Sequence, residues 1–460
     1  MGDHDRLTRR EGLSMIATGA AATLLAGSVR AGTQGADGPL VIFRGLVALD
    51  VETGDVVWTN EDASGGSDPT VVDGTVYTTT GDDLVAVDAA TGETVYTVEI
   101  GEHSTTLAPT VVDGVVYAGA GVDGAVAIDA ATGDTIWQQD LDDAPEVTGV
   151  AVSVVDGAVY GVSVGGPRDG DVVALDAATG ESRWVYDGLD GDTGPVAPTV
   201  AGGVVYCGDE AGVVHAIDAE SGEAGWTFDD PTEKICPLLT VAYDRVYLEA
   251  FDGSVYALDA ASGDVEWTFD DLTIGAPPHP GSPTVDDGVV YTVDHDQTLF
   301  ALDADSGDPI WTGDVVSHAD EAPTVYDDTV FVPDPHAPAA YEVATGEQRW
   351  RADDVSAYSS WASPTVVADT AGDSVDSRVR TGMSGHHDEW AATSAGLDYA
   401  SGSPAGSSTD DPGATDETDG APDDPSDDSI PGFGIVSGLA ALGGAGYLVQ
   451  RRLNDEDRGG

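Results

Sequence analysis

The chain has 460 residues and carries 84 Asp and Glu against 16 Lys and Arg, a formal net charge of −68. Charge of that size and sign repels polyanions, which excludes nucleic acid and anionic membrane surfaces as partners. It also strains a compact state by self-repulsion, unless molar salt shortens the screening length to about 3 Å.

In chain order, residues 1–31 read as an address rather than part of a fold. Thr8-Arg9-Arg10-Glu11-Gly12-Leu13 precedes a small-residue apolar run from Leu13 to Val29, and Val29-Arg30-Ala31 offers a small-x-small cleavage site. The Arg9–Arg10 pair resembles a twin-arginine (Tat) export signal, which implies the Tat translocase as a partner and folding before export. No cysteine follows the run, so a lipid anchor at this end is excluded.

From residue 39 the chain becomes periodic. D-A-A-T-G or a near copy recurs eight times, with its glycine at Gly54, Gly92, Gly133, Gly180, Gly222, Gly263, Gly307 and Gly346. An aromatic residue stands four positions after each one: Trp58, Tyr96, Trp137, Trp184, Trp226, Trp267, Trp311 and Trp350. One repeat shows the unit. Pro69 to Val72 is a strand, Asp73-Gly74 a hairpin turn, and Thr75 to Thr79 the returning strand. Leu84 to Val87 alternates as a third strand, Asp88 to Gly92 turns, and Thr94 to Val98 is the fourth. A period of about 40 residues with four short strands is the signature of a β-propeller. Asp accepts bonds from nearby N–H groups in the turn, Gly supplies positive φ, and the aromatic offers a flat surface between blades.

The count of strands predicts how the ring closes. Opening strands lie at Pro69, Pro109, Val152, Pro198, Leu239, Pro283, Pro323 and Pro364, and the last of these has no turn after it. The first turn, at Gly54, has only three strands around it: Leu40–Phe43, Leu46–Asp50 and Val56–Thr59. A blade shared between the two ends makes an eight-bladed, all-β propeller over residues 39–368, with seven blades as the alternative.

The unit Ala174-Leu-Asp176-Ala-Ala-Thr-Gly180-Glu-Ser-Arg-Trp184 resembles the repeat of the pyrroloquinoline-quinone (PQQ) propeller family over this whole range. That resemblance implies blade-to-blade docking for all eight aromatic positions. It admits two functional classes, quinone-dependent alcohol and glucose dehydrogenases and cofactor-free relatives such as the outer-membrane assembly scaffold BamB. Dehydrogenases of this kind carry adjacent cysteines and a calcium held by acidic and amide side chains. Here Cys207 and Cys236 are 29 residues apart, and the chain's two asparagines are Asn60 and Asn454. The expectation is therefore a non-catalytic binding or scaffold module with no cofactor, PQQ and calcium belonging to the dehydrogenase alternative. The cysteines leave two readings open, a disulfide between neighbouring blades or two buried thiols.

Residues 369–430 are rich in Ser, Thr, Asp, Pro and Gly and read as an extended stalk. His386-His387-Asp388-Glu389 within it is a polar cluster that reads as solvated. Residues 431–460 open on Pro431-Gly432-Phe433, continue as an apolar run to Val449 and end on a basic pair, Arg451-Arg452. This resembles the archaeal PGF-type sorting signal, which implies an archaeosortase as processing partner and a lipid attachment; a plain membrane anchor is the alternative. Both place the propeller outside the cell. The lysine-poor, acid-rich composition also resembles that of proteins from extreme halophiles.

Five histidines fall in loops: His103, His279 and His318 between blades, and His295 and His336 between second and third strands. Both loop types emerge on one face, opposite the short D-G and D-A-A-T-G turns. They are candidates for a metal or small-ligand site, against the reading that a polar residue simply collects in loops. That face is where an unidentified envelope or surface partner is expected to bind. His215 falls within a strand, outside this group.

Overall fold

The computed structural model describes residues 29–31, 38–43, 45–61, 63, 66–101, 108–119, 124–139, 152–162, 170–189, 198–209, 211–229, 235, 239–273, 282–315, 322–333, 337–353, 355, 364–367 and 374–375. They form eight antiparallel sheets in a ring, an eight-bladed β-propeller. We number the blades from the closing one. Blade 1 combines Thr365–Val367 with Leu40–Phe43, Val47–Asp50 and Val56–Asn60. Blades 2 to 8 open with Thr70–Val72, Thr110–Val112, Ser153–Val155, Thr199–Ala201, Thr240–Ala242, Thr284–Asp286 and Thr324–Tyr326. Among the described residues no helix is long and apolar enough to cross a membrane, and the apolar run before Val449 lies outside them.

Each strand's sequence reflects its depth. Second and third strands such as Thr75–Thr80 and Asp83–Asp88 have four consecutive buried residues, because neighbouring blades cover both faces. Outer strands such as Thr94–Glu99 are buried only in alternation. Hairpins between first and second strands use two consecutive positive-φ residues, Asp73 at 48° and Gly74 at 71°. In the turn between third and outer strands, Asp88 Oδ1 accepts from Ala90 N, Thr91 N and the Thr91 hydroxyl at 3.1, 2.8 and 2.8 Å. Antiparallel order puts these two tight turns on one face. The connections from second to third strand and from blade to blade share the other.

The eight aromatics lie in the seams. Trp58 Nε1 donates to Ala89 O of the next blade at 2.9 Å, and its ring lies where a Cβ on Gly92 would be, 2.7 Å away. The same pairing joins Trp137 to Gly180, Trp184 to Gly222, Trp226 to Gly263, Trp267 to Gly307, Trp311 to Gly346 and Trp350 to Gly54. Tyr96 takes the place of tryptophan in blade 2, donating from its hydroxyl to Ala130 O at 2.9 Å. At these glycines φ is positive and the indole occupies the side-chain space, so only glycine fits on both counts. Opposite each aromatic in the register stands a small alanine, as Ala257 faces Trp267.

A second belt lies near the centre. The hydroxyl of the first strand in each blade donates to a carbonyl at the start of the next: Thr70 to Pro109, Thr110 to Val152, Ser153 to Pro198 and Thr199 to Leu239. Thr240 to Pro283, Thr284 to Pro323, Thr324 to Pro364 and Thr365 to Pro69 complete the circuit. The last of these crosses the join between the two ends of the chain.

Blade 1 pairs Thr365–Val367 with Leu40–Ile42 in antiparallel register. Its sheet also holds two additional strands. Val29–Ala31, inside the segment read as an export signal, pairs with Trp58–Asn60 at the outer edge. Ser374–Val375 pairs with Val366 and Val367 on the channel side.

Candidate functional site

On the face bearing the longer connections, three consecutive seams depart from apolar packing. Each begins with an aromatic two residues after the docking tryptophan: Tyr186, Phe228 and Phe269. Each meets an aromatic ring on the third strand of the next blade. The pairs are Tyr186–His215, Phe228–Tyr256 and Phe269–Phe300, with centroids 5.9, 5.6 and 5.5 Å apart.

In the seam of blades 4 and 5 the ring pair is a polar relay. Asp209, 2% exposed, follows the second strand and takes Val213 N on Oδ1 at 2.8 Å. Its Oδ2 lies 3.1 Å from His215 Nε2, and His215 Nδ1 lies 3.0 Å from the Tyr186 hydroxyl. An ionised carboxylate only accepts, so Nε2 donates to Asp209, while Nδ1 and the Tyr186 hydroxyl bond each other. Burial, then the Cys207, Asp187 and Asp209 charges, pushes the Tyr186 hydroxyl above its ordinary range. Cys207, opposite His215 in the register, carries a free thiol that is fully buried. Burial raises that thiol far beyond the range of a nucleophile. Cys236 lies outside the described residues.

In the seam of blades 5 and 6 the Tyr256 hydroxyl, from the ring pair, donates to Asp252 Oδ2 at 3.1 Å. In the seam of blades 6 and 7, Glu249 is 1% exposed and its Oε1 accepts from the Thr292 hydroxyl. Burial pushes this carboxyl up to about 8; the Thr292 bond opposes the shift and the Asp294 charge adds to it. Asp294 caps the following turn, taking Thr298 N on Oδ1 at 2.8 Å and Thr273 N on Oδ2 at 3.3 Å.

Of the five loop histidines, His295 alone is described. It follows Asp294, and its backbone N–H donates to Thr273 O at 2.9 Å. His103, His279, His318 and His336 lie outside the described residues, as do Arg9, Arg10 and Pro431-Gly432-Phe433. The reading by loops passed over His215, Glu249 and the Tyr186 pair. A tyrosine or phenylalanine two places after the docking tryptophan, in these three repeats and no others, is the signal that marks these seams.

A calcium–quinone centre can be tested against these residues. Calcium takes about six to eight oxygens, with acids and amides converging. Among the described residues no three His, Cys, Asp or Glu side chains converge. Asn60 is engaged in blade docking, its Nδ2 donating to Gly92 O at 2.9 Å and its Oδ1 accepting from Ala63 N at 3.2 Å. The described residues do not compose such a centre.

Residues 43–187, 168–280 and 272–393 match a family model described as outer membrane protein assembly factor BamB, and residues 430–452 match the PGF-CTERM motif. Among solved structures the chain is similar to the computationally designed Ika8 protein, at 15% identity and a TM-score of 0.54, covering 67% of this chain and 96% of that one. BamB from Moraxella catarrhalis is 21% identical with a TM-score of 0.50, over 68% of this chain and 95% of that one. Quinohemoprotein alcohol dehydrogenase from Comamonas testosteroni is 16% identical with a TM-score of 0.51, over 65% and 70%. Likeness at these identities is likeness of fold. No curated protein matches the chain at a significant level.

Proposed function

The chain belongs to the propeller family described as outer membrane protein assembly factor BamB, and on that premise we propose that it is a non-catalytic binding module displayed outside the cell. The PGF-CTERM motif marks an exported protein anchored at the cell surface and implies archaeosortase processing. Export through the Tat translocase is part of the same proposal and rests on Arg9 and Arg10. The working surface is the face of longer connections, and the partner is a protein of the envelope or surface.

The observation that carries this reading is the asymmetry of the two faces. The tight-turn face repeats the same Asp-capped turn, whereas the other differs from seam to seam and holds the Tyr186, His215, Glu249 and Asp294 groups. Variable connections on a repetitive frame are where binding usually resides.

The test is purification from the native host in high salt, with chemical crosslinking, an absorption spectrum, metal analysis and a dye-linked alcohol oxidation assay. A colourless protein crosslinked to a defined envelope partner through the connection face supports the proposal. A quinone chromophore with alcohol or sugar oxidation overturns it in favour of a dehydrogenase.

A further inference from the structure

The seam of blades 6 and 7 holds a buried carboxyl oxygen that its described partners do not answer. Glu249 Oε1 is satisfied by Thr292, but Oε2 is buried and has no hydrogen-bond partner among the described residues. Asp294, 5% exposed, stands two residues beyond Thr292, whose hydroxyl bonds Glu249, and its charge raises the Glu249 carboxyl. Its own oxygens accept from the backbone groups of Thr298 and Thr273. Neither acid forms an ion pair with a described Arg, Lys or His.

Burying a carboxylate oxygen unanswered is costly, so a donor or a positive charge belongs beside Oε2. A proton on Glu249 alone removes the charge but still leaves Oε2 without a hydrogen-bond partner among the described residues. A cation spans a wider gap, because each oxygen needs to reach only the ion. The donors are hard oxygens: two carboxylates and the Thr292 hydroxyl, whose lone pairs remain available. No third acid joins them among the described residues, so the charge is too sparse for calcium, and water completes the shell of a singly charged ion.

We infer that a single alkali cation, sodium or potassium, is bound between Glu249 and Asp294 in this seam, with Thr292 as its neutral ligand. Glu249 and Thr292 stand on the second strands of neighbouring blades, so the site lies between packed sheets. It fastens two connections of the variable face at once. The strand-to-blade segment at Leu272 and Thr273 and the turn at Asp294–Gln297 are already knitted by Leu272 N to Gly253 O, Thr273 N to Asp294 and His295 N to Thr273 O. A cation drawn to Asp294 holds the pair of connections in place relative to blade 6. This inference does not depend on what the face binds.

The test is thermal unfolding at constant total ionic strength, replacing choline chloride stepwise with potassium or sodium chloride. Screening is then unchanged, and only specific occupancy can act. Wild-type melting temperature is expected to rise saturably, by about 3 °C for a site filled to roughly ten times its dissociation constant. Glu249→Gln is expected to remove that rise. Thr292→Val, which keeps both acids, is expected to move its midpoint several-fold higher in cation. A wild-type melting temperature indifferent to the exchange, or an identical rise in Glu249→Gln, overturns the assignment. Should Glu249→Gln fail to fold, an unshifted midpoint in Thr292→Val overturns it.

Discussion

Two tryptophans in matched surroundings allow the blade-docking bond to be weighed. Trp267 and Trp350 are each 8% exposed, and a Cβ on the facing glycine would approach each ring to 2.6 Å. Each is also tilted against a second-strand aromatic, Tyr247 at 5.9 Å and Phe331 at 6.0 Å. They differ in one atom. Ala304 O receives the Trp267 indole at 2.9 Å and the Tyr247 hydroxyl at 3.3 Å, whereas Val51 O receives Trp350 at 2.7 Å from a seam where Phe331 has no hydroxyl. Replacing either tryptophan by phenylalanine removes the same ring area. Trp267→Phe still leaves its carbonyl a donor and should cost about 0.5–1.5 kcal/mol for the lost bond. Trp350→Phe leaves a buried acceptor unsatisfied, which costs about 1–3 kcal/mol. The excess of about 1 kcal/mol corresponds to a further fall of about 2–4 °C in melting temperature. Adding Phe331→Tyr to Trp350→Phe restores a hydroxyl and should recover most of that excess. Thermal unfolding followed by far-UV circular dichroism in molar salt reads all three variants. Equal losses in the two single variants, or no recovery in the double, refute the two-donor account.

Thr365→Val breaks the one hydroxyl bond of the central circuit that joins the two ends of the chain. It should lower stability by about 1–3 kcal/mol, because Pro69 O is left buried, and limited proteolysis should cut first beside blade 1. A proteolysis pattern unchanged from wild type would count against the clasp as the weakest seam. Acid should loosen the tight-turn face. Bonds from Arg183 and Thr179 hold the Asp176 carboxyl below its usual range, and those from Ser221 do the same for Asp218. A depressed folded pKa contributes stability that is present above the unfolded value, near 4, and is lost as pH falls through the folded one. Asp176→Asn should therefore flatten the fall in melting temperature below about pH 4 without changing its slope near neutrality; a steeper acid fall would contradict this sign.

The architecture was legible because its turns advertise themselves. Gly54 through Gly346 mark places where positive φ and an approaching aromatic ring both demand glycine, so the repeat survives in the sequence. The clasp was legible from bookkeeping of strands, since Pro364 opens a strand that lacks a following turn. The hydroxyl circuit was less so. Thr70, Thr110 and their equivalents look like ordinary strand residues until folding brings each beside a carbonyl about one repeat away. The same holds for the second-strand tyrosines, whose hydroxyls share a carbonyl with the docking indole. The seam-end groups were hidden for another reason. Asp209, His215 and Tyr186 come from one connection and two strands, and a histidine in a strand looks like a core residue until its two ring nitrogens are traced. Loop position alone favoured five other histidines, of which His295 is the one described.

The join in blade 1 also sets a load path. After the clasp strand Thr365–Val367 and its neighbour Ser374–Val375, the chain runs on to the anchoring motif. Tension on that tether reaches the two register pairs of Ser374–Val375 first, and these can peel away singly. Only then does it reach the clasp strand, where three pairs with Leu40–Ile42 and the Thr365 hydroxyl share the strain. These two pairs thus stand between the tether and the clasp strand, and a pull is expected to open them before it opens the ring.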